Sequence, residues 1–294
     1  MFNLLLQFTK NIKLSFGNHI VLDNLNYSFQ SGKIYGLVAP NGTGKSTLMN
    51  VILNNLKPQN GYIAYDNLQY KNEKTIVRLH KKICAFPDQS DLFPFMTGKD
   101  HLKLYANLWK NNPESIEKII STLKMESYVS RKVETYSLGM KQRLCFAMVV
   151  AANTPVMLLD EVMNGLDQQN VQLISQVLLD LRSQNKLIIM ASHLLQNLQQ
   201  YADQVLFLKD GKIIEDFNNK AETERYLEFK SSALLTDILN NVEVQTLPNK
   251  TSLIAIDNIN QETFNQITNY LIKNNISFSV TKMSLENLFN KFYG

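Results

Sequence analysis

The 294 residues predict an α/β fold followed by a small α+β unit, and three observations carry that reading. Continuous apolar runs recur at 33–39, 156–160, 186–192 and 204–214, the pattern of strands covered on both faces of a parallel sheet. Helical periodicity dominates from Thr97 to about Ala152 and returns at 171–184, between two of those runs. After "EDFNN" (215–219) the composition turns polar and the apolar pattern restarts, which sets a boundary near 218.

Taken in order, the opening "MFNLLLQF" lacks a basic lead and a cleavage site, so it reads as a strand of a cytoplasmic protein rather than a signal peptide. Up to residue 29 the text alternates as strands do, with Leu25, Tyr27 and Phe29 on one face, and "QSG" (30–32) turns it into the buried strand "KIYGLVA". "KSTLMNVILNNL" (45–56) has helical spacing, and "NG" at 60–61 predicts a turn before "YIAY". The long helical stretch is broken by "NNP" (111–113) and by "VETYSLG" (133–139). Beyond the boundary the pattern predicts a helix over about 221–239 and a pair of strands around "LPNK" (247–250). A helix using Phe264, Ile267, Leu271 and Ile272 comes next, then a strand "ISFSV" and a last helix striped by Leu285, Leu288, Phe289 and Phe292.

Bulk properties narrow the function. No apolar run reaches the ~18 to 20 residues of a membrane span, because "LCFAMVVAANTPVMLLDEV" is broken by Asn153, Thr154 and Pro155 and ends in two acids. The net charge of +4 is scattered with no basic block, which argues against nucleic acid as a partner. Cys84 and Cys145 lie far apart in apolar surroundings and read as reduced core residues, and the four histidines show no metal-ligand spacing.

"APNGTGKST" (39–47) carries the first chemistry. In G-x-x-x-x-G-K-[ST], backbone N–H groups cradle phosphates, the lysine reaches the terminal phosphates and the hydroxyl binds Mg²⁺. Gly44, Lys45 and Ser46 fill the last three places, Ala39, Pro40, Asn41, Gly42 and Thr43 form the loop before them, and Thr47 follows. Ala39 replaces the first glycine, yet Pro40 pushes its predecessor toward the extended region that alanine tolerates as well. "VMLLDEVMNGLD" (156–167) ends a buried strand in Asp160 and Glu161, where one acid can hold Mg²⁺ through water while its neighbour deprotonates an attacking water; the pair reads equally as a solvated strand end. "YSLGMKQRL" (136–144) sets serine and glycine before a helix, either as an anion-facing terminus or as an ordinary cap by Ser137. His193 in "MASHLL" follows an apolar strand and reads as a functional group or as a satisfied core residue.

In chain order "APNGTGKST", "YSLGMKQRL", "VMLLDEVMNGLD" and "ASH", these four segments resemble the nucleotide-binding subunit of an ATP-binding cassette (ABC) transporter over residues 1 to about 217, with a helical subdomain at about 95–152 and residues 218–294 as an accessory α+β domain. The resemblance implies ATP and Mg²⁺ as ligands and a second cassette, identical or paralogous, paired head to tail. Lys45 and Ser46 would then bind phosphate and Mg²⁺, Asp160 Mg²⁺, Glu161 would be the general base and His193 the γ-phosphate switch. Ser137, Gly139 and Met140 would reach the partner's nucleotide, Asp167 would lie in the dimer loop and Phe16 of "LSFG" would stack on adenine. The sequence departs from the family at Leu138 and Met140, where "LSGGQ" has glycine and glutamine, and at Val162 and Met163, where Pro-Thr is usual. Asp88 stands at the family's glutamine position with Gln89 one place later, so either could take the metal- or water-binding role.

"PDQSDLFPFMTG", "YSLGMKQRL" and "SLENLFNKF" further resemble the subgroup that pairs with a separate transmembrane permease to export bacitracin, lantibiotics and amphipathic peptides. That implies a peripheral place on the cytoplasmic face of the membrane. The alternatives are a soluble non-transport cassette and a nucleotide sensor. A DNA-repair or chromosome-structure cassette would carry a long coiled coil between Lys45 and Asp160, where this chain has a compact helical insertion; a ribosome-binding type would carry two motif sets, and a sensor would not need all of Lys45, Ser46, Asp160, Glu161 and His193.

Overall fold

A computed structural model describes residues 5–110, 116–221, 224–230 and 242–294. The chain groups into two units, Met1–Leu194 with Tyr201–Asn219, and Leu195–Gln200 with Lys220–Gly294.

In the first unit, β1 (Leu5–Phe16) and β2 (His19–Gln30) pair antiparallel through a tight turn led by Gly17 at φ 58°. Along β2, Leu25 and Phe29 are buried as the alternation predicts. β3 (Ile34–Val38) is buried throughout, and α1 (Lys45–Ile52) leaves the loop at its C-terminal end. β4 (Asn60–Tyr65) and β5 (Leu68–Gln69) complete an antiparallel sheet ordered β2-β1-β4-β5. Asn60 and Gly61, expected as a turn, are instead the first residues of β4: the β1–β4 register slips between Thr9 and Lys13, and Gly61 at φ 83° lies at that irregularity.

Next come α2 (Glu73–His80), capped by Asn72, and β6 (Ile83–Ala85). α3 (Gly98–Trp109), α4 (Ile116–Thr122) and α5 (Leu138–Ala152) supply the helical stretch. Thr97 and Ser137 cap α3 and α5; the expected break at 111–113 lies outside the described residues. β7 (Val156–Asp160), α6 (Gln168–Ser183), β8 (Leu187–Ala191), β9 (Gln204–Lys209) and β10 (Lys212–Asn218) follow, while α7 (Leu195–Tyr201), between β8 and β9, belongs to the second unit up to Gln200. The second sheet runs β10-β9-β3-β8-β7-β6 and is parallel except at β10. The apolar run at 204–214 is therefore not one strand: Asp210 (φ 49°) and Gly211 (φ 75°) form the left-handed pair that a hairpin turn demands. β10 then alternates exposed with half-buried residues, as an edge strand does. Cys84 and Cys145 are both free and buried, and burial pushes the Cys145 thiol up to about 12.

The second unit holds β11 (Arg225–Lys230), β12 (Gln245–Thr246), β13 (Thr251–Ala255), α8 (Gln261–Lys273), β14 (Phe278–Lys282) and α9 (Leu285–Tyr293). Its sheet is ordered β12-β13-β11-β14 with every neighbour antiparallel, the strand order of the split βαβ motif. Leu227, Phe229 and Ile254 bury one face against Ile267 and Leu271 of α8. From α9, Asn287 Nδ2 donates to Glu228 Oε2 at 2.9 Å, and Glu228 alternates with Leu227 and Phe229, so α9 serves the other face. The Leu285 N–H donates to Gln199 Oε1 of α7 at 2.7 Å.

The helix expected over 221–239 is contradicted at 225–230, where "RYLEFK" has the period of a strand, Leu227 and Phe229 turning inward; residues 231–239 lie outside the described residues. The strands flanking "LPNK" are present as β12 and β13. The strand expected at "ISFSV" starts two residues later, at Phe278, after the α8 terminus turns through Asn275 at φ 54°. Ile272, expected on the packed stripe of α8, is 62% exposed because Ile267 and Leu271 already define the buried face. Among the described residues no helix is long and apolar enough to cross a membrane.

Candidate functional site

β3, β8 and β7 are parallel neighbours, so the segments leaving their C-terminal ends converge at the edge where open α/β sheets bind ligands. There a cavity of about 750 Å³ is lined by Asn41, Gly42, Gly44 to Thr47, Phe86 to Gln89, Gln142, Asp160, Glu161 and Asn164.

The loop after β3 wraps a buried lysine. Lys45 is 8% exposed, and its Nζ donates to the carbonyls of Ala39 at 2.6 Å and Pro40 at 3.1 Å. Thr43 Oγ1 also donates to the Pro40 carbonyl, at 2.7 Å. Burial holds the Lys45 ammonium below the ordinary lysine range, while Glu161 and Asp160 pull the other way. A desolvated cation whose hydrogen bonds go to backbone carbonyls suits an incoming polyanion. Ala39 is buried and keeps an ordinary negative φ, so the glycine it replaces had no conformational task here. Gly44 differs: it caps α1 at φ 105°, and a Cβ there would sit 3.0 Å from both Val21 Cγ1 and Val21 O.

Across the cavity, Ser46 Oγ donates to Asp160 Oδ2 at 2.8 Å. A hydroxyl and a carboxylate so close are hard oxygen donors of the kind Mg²⁺ takes, and among the described residues no group of three or more His, Cys, Asp or Glu offers a closed metal cage. The residues thus fit a Mg²⁺ that completes its shell with water and phosphate. Glu161, the next residue, has φ 52°, and its Oε2 lies 2.9 Å from Nδ1 of the half-exposed His193. His193 follows β8 by two residues, so the strand order itself brings histidine to carboxylate.

Asp88 and Gln89 both line the cavity but turn differently. The Ser90 hydroxyl and N–H bond Asp88 Oδ1 at 2.6 and 2.7 Å and hold its carboxyl below the usual carboxylate range. Gln89 Nε2 donates to Gln142 Oε1. Gln142 and Asn164 escape the motif reading, although Gln142 carries a signal: it sits on the face of α5 shared with Cys145 and Val149, and a polar residue on an apolar stripe marks a buried hydrogen-bonder.

Other expected residues stand outside this cavity. Phe16 is 53% exposed at the β1–β2 turn, in register with His19, which lines a separate hollow of about 320 Å³ with Ile20, Gly42 and Thr43. Ser137 caps α5 by accepting from the Met140 N–H at 3.3 Å, and a Cβ on Gly139 would meet only Leu166 at 3.8 Å. Asp167 caps α6, both oxygens accepting from Asn170.

A family model described as ABC transporter matches residues 22–164. The lantibiotic transport ATP-binding protein SrtF of Streptococcus pyogenes is 27% identical over 232 residues, 79% of this chain and 95% of its own. The bacitracin transport ATP-binding protein BcrA of Enterococcus faecalis is 30% identical over 229 residues, 76% of this chain and 74% of its own. In fold, the dimeric post-hydrolysis ATP-binding cassette MJ0796 bound to ADP and Pi superposes with TM-score 0.65 at 22% identity, over 74% of this chain and 99% of that one.

Proposed function

Because the chain belongs to the ATP-binding family of ABC transporters and is an ATP-hydrolysing subunit of that kind, we propose that it powers the export of peptides or peptide-like drugs through a separate transmembrane permease, from the cytoplasmic face of the membrane. The names of the lantibiotic and bacitracin relatives support that substrate class. The observation that carries the catalytic reading is that Lys45, the Ser46–Asp160 pair and Glu161 line one cavity, with His193 paired to Glu161.

Lys45 and the loop N–H groups bind the phosphates of ATP, with Phe16 against adenine. Ser46 and Asp160 would hold Mg²⁺, which when bound neutralises charge on the β- and γ-phosphates. Glu161 orients a water in line with the γ-phosphate and takes its proton, and His193 fixes the Glu161 carboxylate from 2.9 Å. Asp88, with its carboxyl kept ionised by Ser90, is an additional candidate for that metal or its water shell. Ser137, Gly139 and Met140 serve the nucleotide of a second cassette, identical or paralogous, and Asp167 orders the loop between the two. Residues 1–217 form the cassette, with a helical subdomain at about 95–152, and 218–294 an accessory domain.

The test is isolation of the chain from its native membrane without added ligand. Recovery with a polytopic membrane subunit, and peptide-stimulated ATP hydrolysis by the pair, is the expected result. An active ATPase that never associates with a membrane protein contradicts the transport reading while leaving the cassette chemistry standing.

A further inference from the structure

Gln142 is a buried side chain that neither binds the nucleotide nor transfers a proton in the scheme above. It is 5% exposed, its Nε2 donates to the carbonyls of Glu161 at 3.1 Å and Val162 at 3.0 Å, and its Oε1 accepts from Gln89 Nε2. A glutamine amide offers two N–H hydrogens and one carbonyl oxygen, and here each is directed at a partner. Turning the amide over would face Oε1 to two carbonyl oxygens, so its orientation is fixed.

Glu161 is the residue that needs such fixing. A left-handed φ of 52° in a non-glycine residue is strained and persists only where the surroundings over-determine it. The Glu161 N–H is held by the Ala191 carbonyl at 3.0 Å, and its own carbonyl accepts from the Asn164 N–H at 3.1 Å as well as from Gln142. At the other end, Gln89 opens one turn of 3-10 helix, Gln89–Asp91, in the segment leading from β6 toward α3. We infer that Gln142 is a positioning residue that aims the Glu161 carboxylate and makes its aim depend on where the Gln89 segment stands. The inference rests on Glu161 being the general base. If the Gln89 segment withdraws, Gln142 loses the bond that fixes its far side and Glu161 loses a restraint on a backbone that is costly to hold.

Full-length chain carrying Gln142→Met, Gln89→Met, or both, is assayed for MgATP affinity and for kcat. Methionine keeps the volume and removes the hydrogen bonds. Each single variant is expected to lower kcat about 10- to 100-fold, the scale of a slightly misplaced catalytic group, with MgATP affinity unchanged. The double variant is expected to be no slower than Gln142→Met alone. Wild-type kcat in either single variant overturns the inference, as does an affinity loss that matches the kcat loss, or singles whose effects multiply in the double. If Gln142→Met does not fold, the half-buried Gln89→Met still decides by the same kcat criterion. Glu161→Gln measured alongside separates the two levels: if it stays active, the general-base reading itself fails, whereas an inactive Glu161→Gln beside a fully active Gln142→Met sinks the positioning role alone.

Discussion

Replacing single residues of the loop between β3 and α1 distinguishes a glycine that is needed from one that is not. At Gly44 the backbone sits at φ 105°, outside the range an L-residue takes without strain, and an added Cβ would press on Val21 Cγ1 and on the Val21 carbonyl at 3.0 Å. The strain costs about 1–3 kcal/mol. The carbonyl belongs to β2 and cannot swing aside as a side-chain tip could, so overpacking adds about 1 kcal/mol or more. Gly44→Ala is therefore expected to cost about 2–4 kcal/mol, which in a unit of this size lowers Tm by roughly 4–16 °C. At Gly42, φ is 80° but nothing lies within 4 Å of the added Cβ, so Gly42→Ala should cost only the strain, about 1–3 kcal/mol. Ala39→Gly restores the family's usual residue at a position with ordinary φ, and should destabilise by about 0.4–1 kcal/mol through the freedom it gives the unfolded chain. Scanning calorimetry of the three variants checks the order. Equal Tm in Gly44→Ala and the parent, or a more stable Ala39→Gly, would mean that backbone strain and the Val21 contact do not set these costs.

Phe16→Ala should weaken ATP binding by about 1–3 kcal/mol, the value of stacking on a base, and calorimetric titration that finds affinity unchanged removes Phe16 from the adenine site. Burial holds Lys45 below the ordinary lysine range, and bound phosphates favour its protonated form; affinity should thus be complete below that depressed pKa and fall as pH rises through it, while Lys45→Arg flattens the profile because a guanidinium does not titrate there. A chain ending at Asn219 keeps every residue lining the large cavity but loses α9, whose Leu285 N–H bonds Gln199 of α7. Such a chain should bind ATP as before and hydrolyse it at a changed rate, and unaltered turnover and pairing in equilibrium binding and steady-state assays would make residues 220–294 a mere appendage.

The parallel sheet was legible because strands buried on both faces carry unbroken apolar text, as Val156–Leu159 and Leu187–Ala191 do. The same rule misled at 204–214: the run continues in letters across Asp210–Gly211, and only the left-handed pair there reveals the hairpin. It failed again at 225–230, where six residues of strand next to polar text were absorbed into a longer helical window, although Leu227 and Phe229 alternate. Asn60–Gly61 reads as turn chemistry, but tertiary pairing with Lys13 recruited it into a strand. In the site, the contacts of Lys45, Ser46, Asp160, Glu161 and His193 follow from motifs whose members are strand ends of one sheet. Gln142 was invisible to motifs because its partners, two backbone carbonyls and Gln89, lie on other elements and leave no spacing to recognise.

Glu161→Gln separates proton abstraction from nucleotide binding in a single substitution. The amide keeps the size and the geometry facing His193 but accepts no proton, so hydrolysis should fall by about 10² to 10⁴. MgATP binding should survive, since Lys45, Ser46 and Asp160 are untouched. If the uncleaved nucleotide is shared between two cassettes, it binds the paired state better than the separate one and shifts the population toward it. Light scattering of Glu161→Gln with and without MgATP, in the presence of the membrane subunit, measures both consequences in one sample when phosphate release is followed in parallel. An inactive, nucleotide-bound protein that accumulates as a closed pair is the expected result. Wild-type phosphate release, or tight ATP binding with no gain in pairing, contradicts it.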